Sequence, residues 1–422
     1  MPGLSSAWAA AASLAAPGLR VMLRMRLRRG KEVRGRLAER RGVDASARPT
    51  GRLLWLHAAS VGETTSILPV LPELLDRAPD LTVLLTTGTV TAAELLAQRL
   101  ELGCRVQHRF VPLDVPAWVS RFLDHWRPDA VGLVESELWP NLLAACRRQR
   151  IPLMLINARV SERSLARWRM APGLARHMLG GFARVQARSE TDAARLRELG
   201  CDEVQVSGDL KLAAPPLPFD AGELERLRVQ LAGRPVWLAA STHPGEEALV
   251  AQVHEALVPQ HPGMQTIIAP RHPERGAAIT EALGGTRRSL GQPPPEGGIL
   301  IADTLGELGL WYRLCPVVFI GRSLLPPGGG QNPLEAARLG CAIAVGPHTG
   351  NFADHVAMLR DARALTIVQD AADLARWADA LLRDPARCEA MRKAGPAAIQ
   401  CHGTDVARQT ADALLDLLVV HT

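Results

Sequence analysis

The sequence predicts an α/β protein of two similar halves, each a parallel sheet covered by helices on both faces. Three observations lead there. Short apolar runs alternate with helix-length stretches from residue 50 onward. One proline-rich segment, KLAAPPLPFDAG at 211–222, interrupts that alternation at mid-chain. The length of 422 residues exceeds one ordinary domain, and a 47% hydrophobic composition can fill two cores.

In the first half, the runs at 53–58, 81–87, 107–113, 130–135, 152–157, 183–188 and 203–208 read as strands. They are apolar with little alternation, as in strands buried on both faces. The stretches PELLDR, AAELLAQRLEL and AWVSRFLDHW between them repeat apolar residues with the helical period. After the prolines the pattern restarts, with strands at 235–241, 264–270, 297–303, 316–321, 341–346 and 364–369 and a helical tail from about 371 to 419. The resulting limits are 1–45 for an N-terminal segment, 46–212 for the first domain, 213–222 for the linker and 223–422 for the second domain with its tail. Neither half has GxGxxG after its first strand, and no P-loop sequence occurs.

The seven cysteines have no ligand spacing and an odd count, so they read as reduced thiols of a cytosolic protein, with no metal site. The net charge of +6 is uneven. Residues 20–41 hold ten Arg and Lys against two Glu, a net +8, which leaves −2 for the other 400 residues. A basic tail on a mildly acidic body argues against nucleic acid as the partner. Before the basic run lies LSSAWAAAASLAAPGL, residues 4–19. Apolar first and basic second is the reverse of a secretory signal. It fits a membrane-associated segment, either a short span with its basic flank in the cytoplasm or a helix lying on anionic lipid.

Ligands of open α/β sheets bind beyond the carboxyl ends of the strands, so two such halves predict a cleft site. The strand ends carry many polar groups. HAASVGET, 57–64, puts Glu63 at a helix start, where an acid stabilises the helix dipole by about 0.3–1 kcal/mol or does chemistry. GLVESELWPN places Glu135 and Glu137 just past an apolar strand, where two carboxylates need partners or a task. SGDLKL, at the end of the last strand before the linker, contributes Lys211. In the second half, STHPGEE offers Ser241 and Thr242, and APRHPER offers Arg271 and His272 as an anion clamp or a surface ion pair. FIGRSLLPPGGGQNPLEAARLG, 319–340, combines three glycines with a helix opening at Asn332 or Pro333, as suits a phosphate. Glu335, one turn in, is placed for a ribose diol.

The ordered set SVGE, ESELWPN, INARVSERS, SGDLK, STHPGEE, PRHPER, GELGLWY and GGGQNPLEAA closely resembles the bacterial 3-deoxy-D-manno-octulosonic acid (Kdo) transferases, over roughly residues 20–415. The resemblance implies a two-domain glycosyltransferase B fold. It implies transfer of Kdo from CMP-Kdo to the lipid A precursor lipid IVA at the cytoplasmic face of the inner membrane, with no metal or other cofactor. It casts Glu63 as general base and Glu135 and Lys211 as aids to the transition state. It assigns CMP to Pro270, Arg271, Gly306, Glu307, Leu308, Asn332, Pro333, Leu334 and Glu335. The sequence departs from the family's GGS and GGHNPLE at Arg322 and Gln331. Two other readings share these features: a soluble sugar-nucleotide epimerase of the same architecture, and an inactive membrane scaffold.

Overall fold

The computed structural model describes residues 2–100, 105–403 and 405–419. The chain forms two compact units, Met1–Ala214 with Gly403–Thr422, and Pro215–His402.

The first unit holds β1 (Arg52–Ala58), β2 (Leu81–Thr87), β3 (Val106–Phe110), β4 (Ala130–Val134), β5 (Leu153–Ala158), β6 (Arg184–Ala187) and β7 (Val204–Val206). They form one parallel sheet in the order β3-β2-β1-β4-β5-β6-β7. Arg52 pairs with Leu81 and Leu54 with Ala130, so β1 lies between β2 and β4. The chain runs outward through β2 and β3 and returns to the other side of β1. The crevice of such a sheet opens at that reversal, beyond the carboxyl ends of β1 and β4.

The second unit repeats the plan with β8 (Val236–Thr242), β9 (Gln265–Pro270), β10 (Thr286–Arg287), β11 (Gly298–Ile301), β12 (Val317–Ile320), β13 (Ala342–Val345) and β14 (Leu365–Ile367), in the order β10-β11-β9-β8-β12-β13-β14. Its reversal falls between β8 and β12. The two-residue β10 is too short to show in the sequence pattern.

Two cores sandwich the first sheet. On one face Trp55, Phe122, Trp126 and Leu143 pack together. On the other, Leu56, Leu71 and Ile156 meet Leu414 and Leu418 of the C-terminal helix Val406–Val419. The sequence pattern places the whole helical tail in the second domain, but the structure divides it. Ala371–Arg383 lies on the second unit's helix Glu246–Leu257, whereas Val406–Val419 lies on Val70–Arg77, β4 and β5. Val406, Thr410, Leu414 and Leu417 form one apolar stripe, and the first sheet supplies its cover. Gly132 on β4 makes the room: a Cβ there would lie 2.7 Å from both Ile156 Cδ1 and Leu56 Cδ2.

The N-terminal helix Pro2–Arg28 packs on the helices Pro116–Trp126 and Pro140–Arg148 of the first unit. Among the described residues, no helix is long and apolar enough to cross a membrane. Part of the basic run is used internally. Buried Arg40 pairs with Glu32 at 3.0 Å and donates to Gly88 O at 2.7 Å, and Arg26 holds the other Glu32 oxygen at 2.8 Å. Arg36 binds Glu39, which also accepts from the Phe110 amide. Burial and the neighbouring arginines 36, 109 and 40 push His108 down to about 3, so its imidazole stays neutral in this cluster.

Leu414→Ala is expected to destabilise the first unit by about 2–5 kcal/mol. Hydrogen exchange should quicken in β4 and β5 and stay unchanged in β12 and β13. Unchanged exchange in β4 would remove the C-terminal helix from this core.

Candidate active site

In the first unit, three acidic residues gather at the β1/β4 reversal. Ser60 caps the helix Val61–Ile67, its hydroxyl accepting from the Glu63 amide at 3.3 Å. Glu63 reaches back: Oε1 accepts from the Ser60 hydroxyl and Oε2 from the Ala59 amide, both at 2.8 Å. This is a variant of the capping box, with the Ala59 amide and the Ser60 hydroxyl in place of the Ser60 amide, so the cap is real. Burial nevertheless raises the Glu63 pKa above its usual value. The negative charges of Glu135 and Glu137 add to that, against the Ser60 and Ala59 hydrogen bonds. The net direction is that of a carboxylate made more basic.

Glu135 leaves β4 in the left-handed region, φ 62°, with its amide still bonded to Ile156 O at 2.8 Å. Its carboxylate accepts from Lys211 Nζ at 2.6 Å, and both side chains keep less than a fifth of their exposure. Lys211 sits in a short turn, Leu210–Leu212, capped by Asp209, which accepts from the Lys211 amide at 2.9 Å. Asn157 at the end of β5 fixes that turn from both sides, donating to Asp209 at 3.1 Å and accepting from the Leu210 amide at 3.0 Å. Beside Glu135 opens a cavity whose walls include Leu138, Val160, Trp168, Leu179 and Leu199.

Glu137 differs from Glu63. Its burial acts upward, yet its pKa is held below the usual value by His57 and by the Trp139 indole, which donates at 2.5 Å. His57 Nε2 is 3.7 Å away, too long for a hydrogen bond. His57 is fully buried on β1, with Nδ1 3.1 Å from Thr86 O. Sequence reasoning missed its role; the signal was one imidazole inside the apolar run LLWLHA.

The second unit gathers part of its predicted set. Pro270, Arg271, Gly306 and Leu308 line one cavity with Ser241, Thr304 and Trp311, beyond β8, β9 and β11. Ser241 has φ 57°, a strained conformation for serine. The Arg271 guanidinium is exposed, with no carboxylate at ion-pair distance among the described residues, so the alternative of a surface ion pair falls away. Glu307 is otherwise engaged. Arg288 holds its carboxylate at 2.7 and 3.0 Å and Thr304 donates to it; these bonds, against burial, keep its pKa low.

Asn332, Pro333, Leu334 and Glu335 do not line that cavity. Asn332 accepts from the Leu334 amide at 3.1 Å and donates to Glu335 at 3.1 Å, and the helix it opens is only Leu334–Arg338. The three preceding glycines serve an internal contact: a Cβ at Gly328 would lie 2.2 Å from His348 Cβ, and one at Gly329 2.6 Å from Asn351 Nδ2. Arg322 has φ 56°, a conformation that favours glycine, and its Nε donates to Gly328 O at 3.0 Å. Nothing in the structure explains glutamine at 331. Glu246, which the sequence suggests only as a cap, is 1% exposed and accepts from four amides, those of His243, Arg322, Ser323 and Leu324, at 2.6–3.1 Å. Among the described residues, no three His, Cys, Asp or Glu side chains converge as metal ligands.

A family model described as 3-deoxy-D-manno-octulosonic-acid transferase (kdotransferase) matches residues 35–214. A 3-deoxy-D-manno-octulosonic acid transferase of Bordetella pertussis is 38% identical over 402 residues, 90% of this chain and 90% of that one. A probable mitochondrial 3-deoxy-D-manno-octulosonic acid transferase of Arabidopsis thaliana is 36% identical, covering 90% of this chain and 88% of its own length. Among solved structures, a glycosyltransferase of Rickettsia africae superposes with a TM-score of 0.60 at 12% identity, over 88% of this chain and 99% of that one. A putative UDP-N-acetylglucosamine 2-epimerase of Listeria monocytogenes gives 0.62 at 15%, over 88% and 98%. At such identity these two show the fold alone.

The raised Glu63 pKa fixes a sign for stability. A carboxyl group that holds its proton more tightly when folded favours folding at low pH. That contribution is lost as the pH rises from the unfolded value, near 4.5, through the folded one. Glu63→Gln should therefore gain stability relative to wild type between mildly acidic and neutral pH, read from urea unfolding at each. A constant difference would show that Glu63 is not perturbed.

Proposed function

The chain belongs to the 3-deoxy-D-manno-octulosonic acid (Kdo) transferase family and is a glycosyltransferase, and from that premise we propose that it moves Kdo from CMP-Kdo to a sugar hydroxyl of the lipid A precursor lipid IVA. The observation that carries the catalytic part is Glu63: a carboxylate at the β1/β4 reversal, hydrogen-bonded in place and made more basic by burial and two acidic neighbours.

The donor already has a good leaving group in its phosphate. The acceptor hydroxyl needs a base within hydrogen-bond reach. Glu63 takes that proton as the oxygen attacks the anomeric carbon, and attack opposite the leaving CMP inverts the centre. Two bonds hold Glu63, while a carboxylate has about four acceptor sites, so it can receive the proton without leaving its cap. Glu135 and Lys211, paired at 2.6 Å, form a preorganised charge pair for the developing transition state. In the second unit, Arg271 takes the CMP phosphate as an unpaired, always-charged guanidinium. Pro270, Gly306 and Leu308 form the wall of its cavity, and the Asn332–Glu335 turn, which lies outside that lining, is where the ribose would be held. The scheme uses no metal or further cofactor.

The lipid acceptor and the cytoplasmic face of the inner membrane rest on two supports. One is the cavity beside Glu135, lined partly by Leu138, Val160, Trp168, Leu179 and Leu199 and partly by Ser136, Arg159 and Ser164, whose apolar wall is a place for hydrocarbon next to the catalytic acids. The other is the N-terminal helix, which exposes Trp8, Leu14, Val21 and Met25 beside its arginines.

The test is transfer from CMP-Kdo to lipid IVA, read by mass spectrometry, with wild type and Glu63→Ala side by side. Wild type should add at least one Kdo. The variant should fold and bind CMP while transfer falls by about two to four orders of magnitude, the range of a lost general base. Near-equal rates would overturn the base. The acid limb of the wild-type kcat/KM profile should lie above the ordinary glutamate range, since Glu63 must be ionised to act.

A further inference from the structure

The N-terminal region encloses a small cavity lined by Arg20, Leu23, Arg24, Leu37 and Arg41. We infer that it is a phosphate-recognition site for the headgroup of a membrane lipid, an inference that rests on the membrane reading above.

Charge balance makes the argument. Arg20 and Arg24 lie one turn apart on the helix Pro2–Arg28, on either side of buried Leu23, and Arg41 comes from the turn Glu39–Arg41. A fourth cation adjoins them, since Arg121 donates to Arg41 O at 2.8 Å. Bringing guanidinium groups together is unfavourable without an anion. The run's two acids are engaged elsewhere: Glu32 by Arg26 and Arg40, and Glu39 by Arg36 and the Phe110 amide. Neither Arg20, Arg24 nor Arg41 has a carboxylate partner among the described residues. The run thus divides into arginines that fasten the segment to the first unit and arginines that wait for an external anion.

Size and surroundings narrow the ligand. The cavity holds about 100 Å³, room enough for a phosphoryl group. Arginine forks match phosphate oxygens in bidentate pairs. Val21, Met22 and Met25 are also exposed on this helix. A helix that carries guanidinium groups and exposed apolar side chains together suits a headgroup at the edge of hydrocarbon better than a free ion in water.

The test is co-sedimentation of the full chain with neutral phosphatidylcholine vesicles, with or without phosphatidic acid as the phosphomonoester probe. Wild type should prefer phosphatidic acid. The variant Arg20→Gln/Arg24→Gln/Arg41→Gln should lose on the order of a hundredfold in that affinity, from three charges near an anionic surface, while melting like wild type. Arg28→Gln/Arg29→Gln/Arg34→Gln, which removes three exposed charges of the same run outside the cavity, should lose clearly less. Equal losses in the two variants would overturn the site in favour of diffuse attraction. Displacement from the vesicles by millimolar inorganic phosphate would overturn the lipid as the ligand. No wild-type binding to either vesicle would overturn the membrane reading and this site together, and transfer by the same protein to detergent-solubilised lipid IVA would show that the catalytic reading stands apart from both.

Discussion

Each sheet starts at its centre, and the structure depends on what closes the gap where the first strand and the returning strand diverge. Both units place a glutamate there, in the first turn of the helix that follows the first strand: Glu63 after β1 and Glu246 after β8. Their fates differ through hydrogen-bond arithmetic. A carboxylate has about four acceptor sites. Glu246 spends all four on backbone amides, three of them from Arg322, Ser323 and Leu324 just past β12, and so stitches the two strand exits together. Glu63 spends two, and faces Glu135 and Glu137 where Glu246 faces amides. Four donors make a strut; two donors and two like charges make a group ready to take a proton.

Backbone strain follows the same map. Of the seven non-glycine residues with positive φ among the described residues, Glu135, Asn157, Ser241 and Arg322 stand at the exits of β4, β5, β8 and β12. Asparagine tolerates this conformation; the other three do not without support. Support is visible for each. The Glu135 amide bonds β5 and its carboxylate bonds Lys211, the Ser241 carbonyl lies 3.2 Å from the His243 ring nitrogen, and the Arg322 amide bonds Glu246. The strain re-aims Glu135 and Ser241 at the positions where the chemistry and the ligand wall are proposed.

Much of this was legible in the sequence. Thirteen of the strands stand out because parallel strands buried on both faces read as continuous apolar runs. β10 does not, because two residues show no period. The C-terminal helix was legible as a helix but not as part of the first unit. Its stripe of Val406, Leu414 and Leu417 announces burial without saying against what, and only the sheet face left open by Gly132 decides. The site divides in the same way. Glu63, Glu135, Lys211 and Arg271 lie in short polar strings directly after strands, which the strand reading exposes. The roles of His57 and Glu246 depend on partners 80 and about 76 residues away in sequence, Glu137 and the Arg322 amide, and no local pattern encodes them.

The glycine-rich loop after β12 shows how a departure from family pattern is absorbed. Position 322 has a left-handed backbone, which glycine adopts without strain and arginine does not. The strain is countered by two bonds that this residue's own atoms make: the amide to buried Glu246, which any residue supplies, and the guanidinium Nε to Gly328 O, which glycine has no side chain to make. The second bond braces a turn whose glycines already press against His348 and Asn351. Arginine at 322 therefore exchanges backbone ease for a cross-link within the loop. That cross-link turns its charge toward the loop's own carbonyl, and leaves Arg271 as the unpaired guanidinium on the wall of the proposed donor cavity.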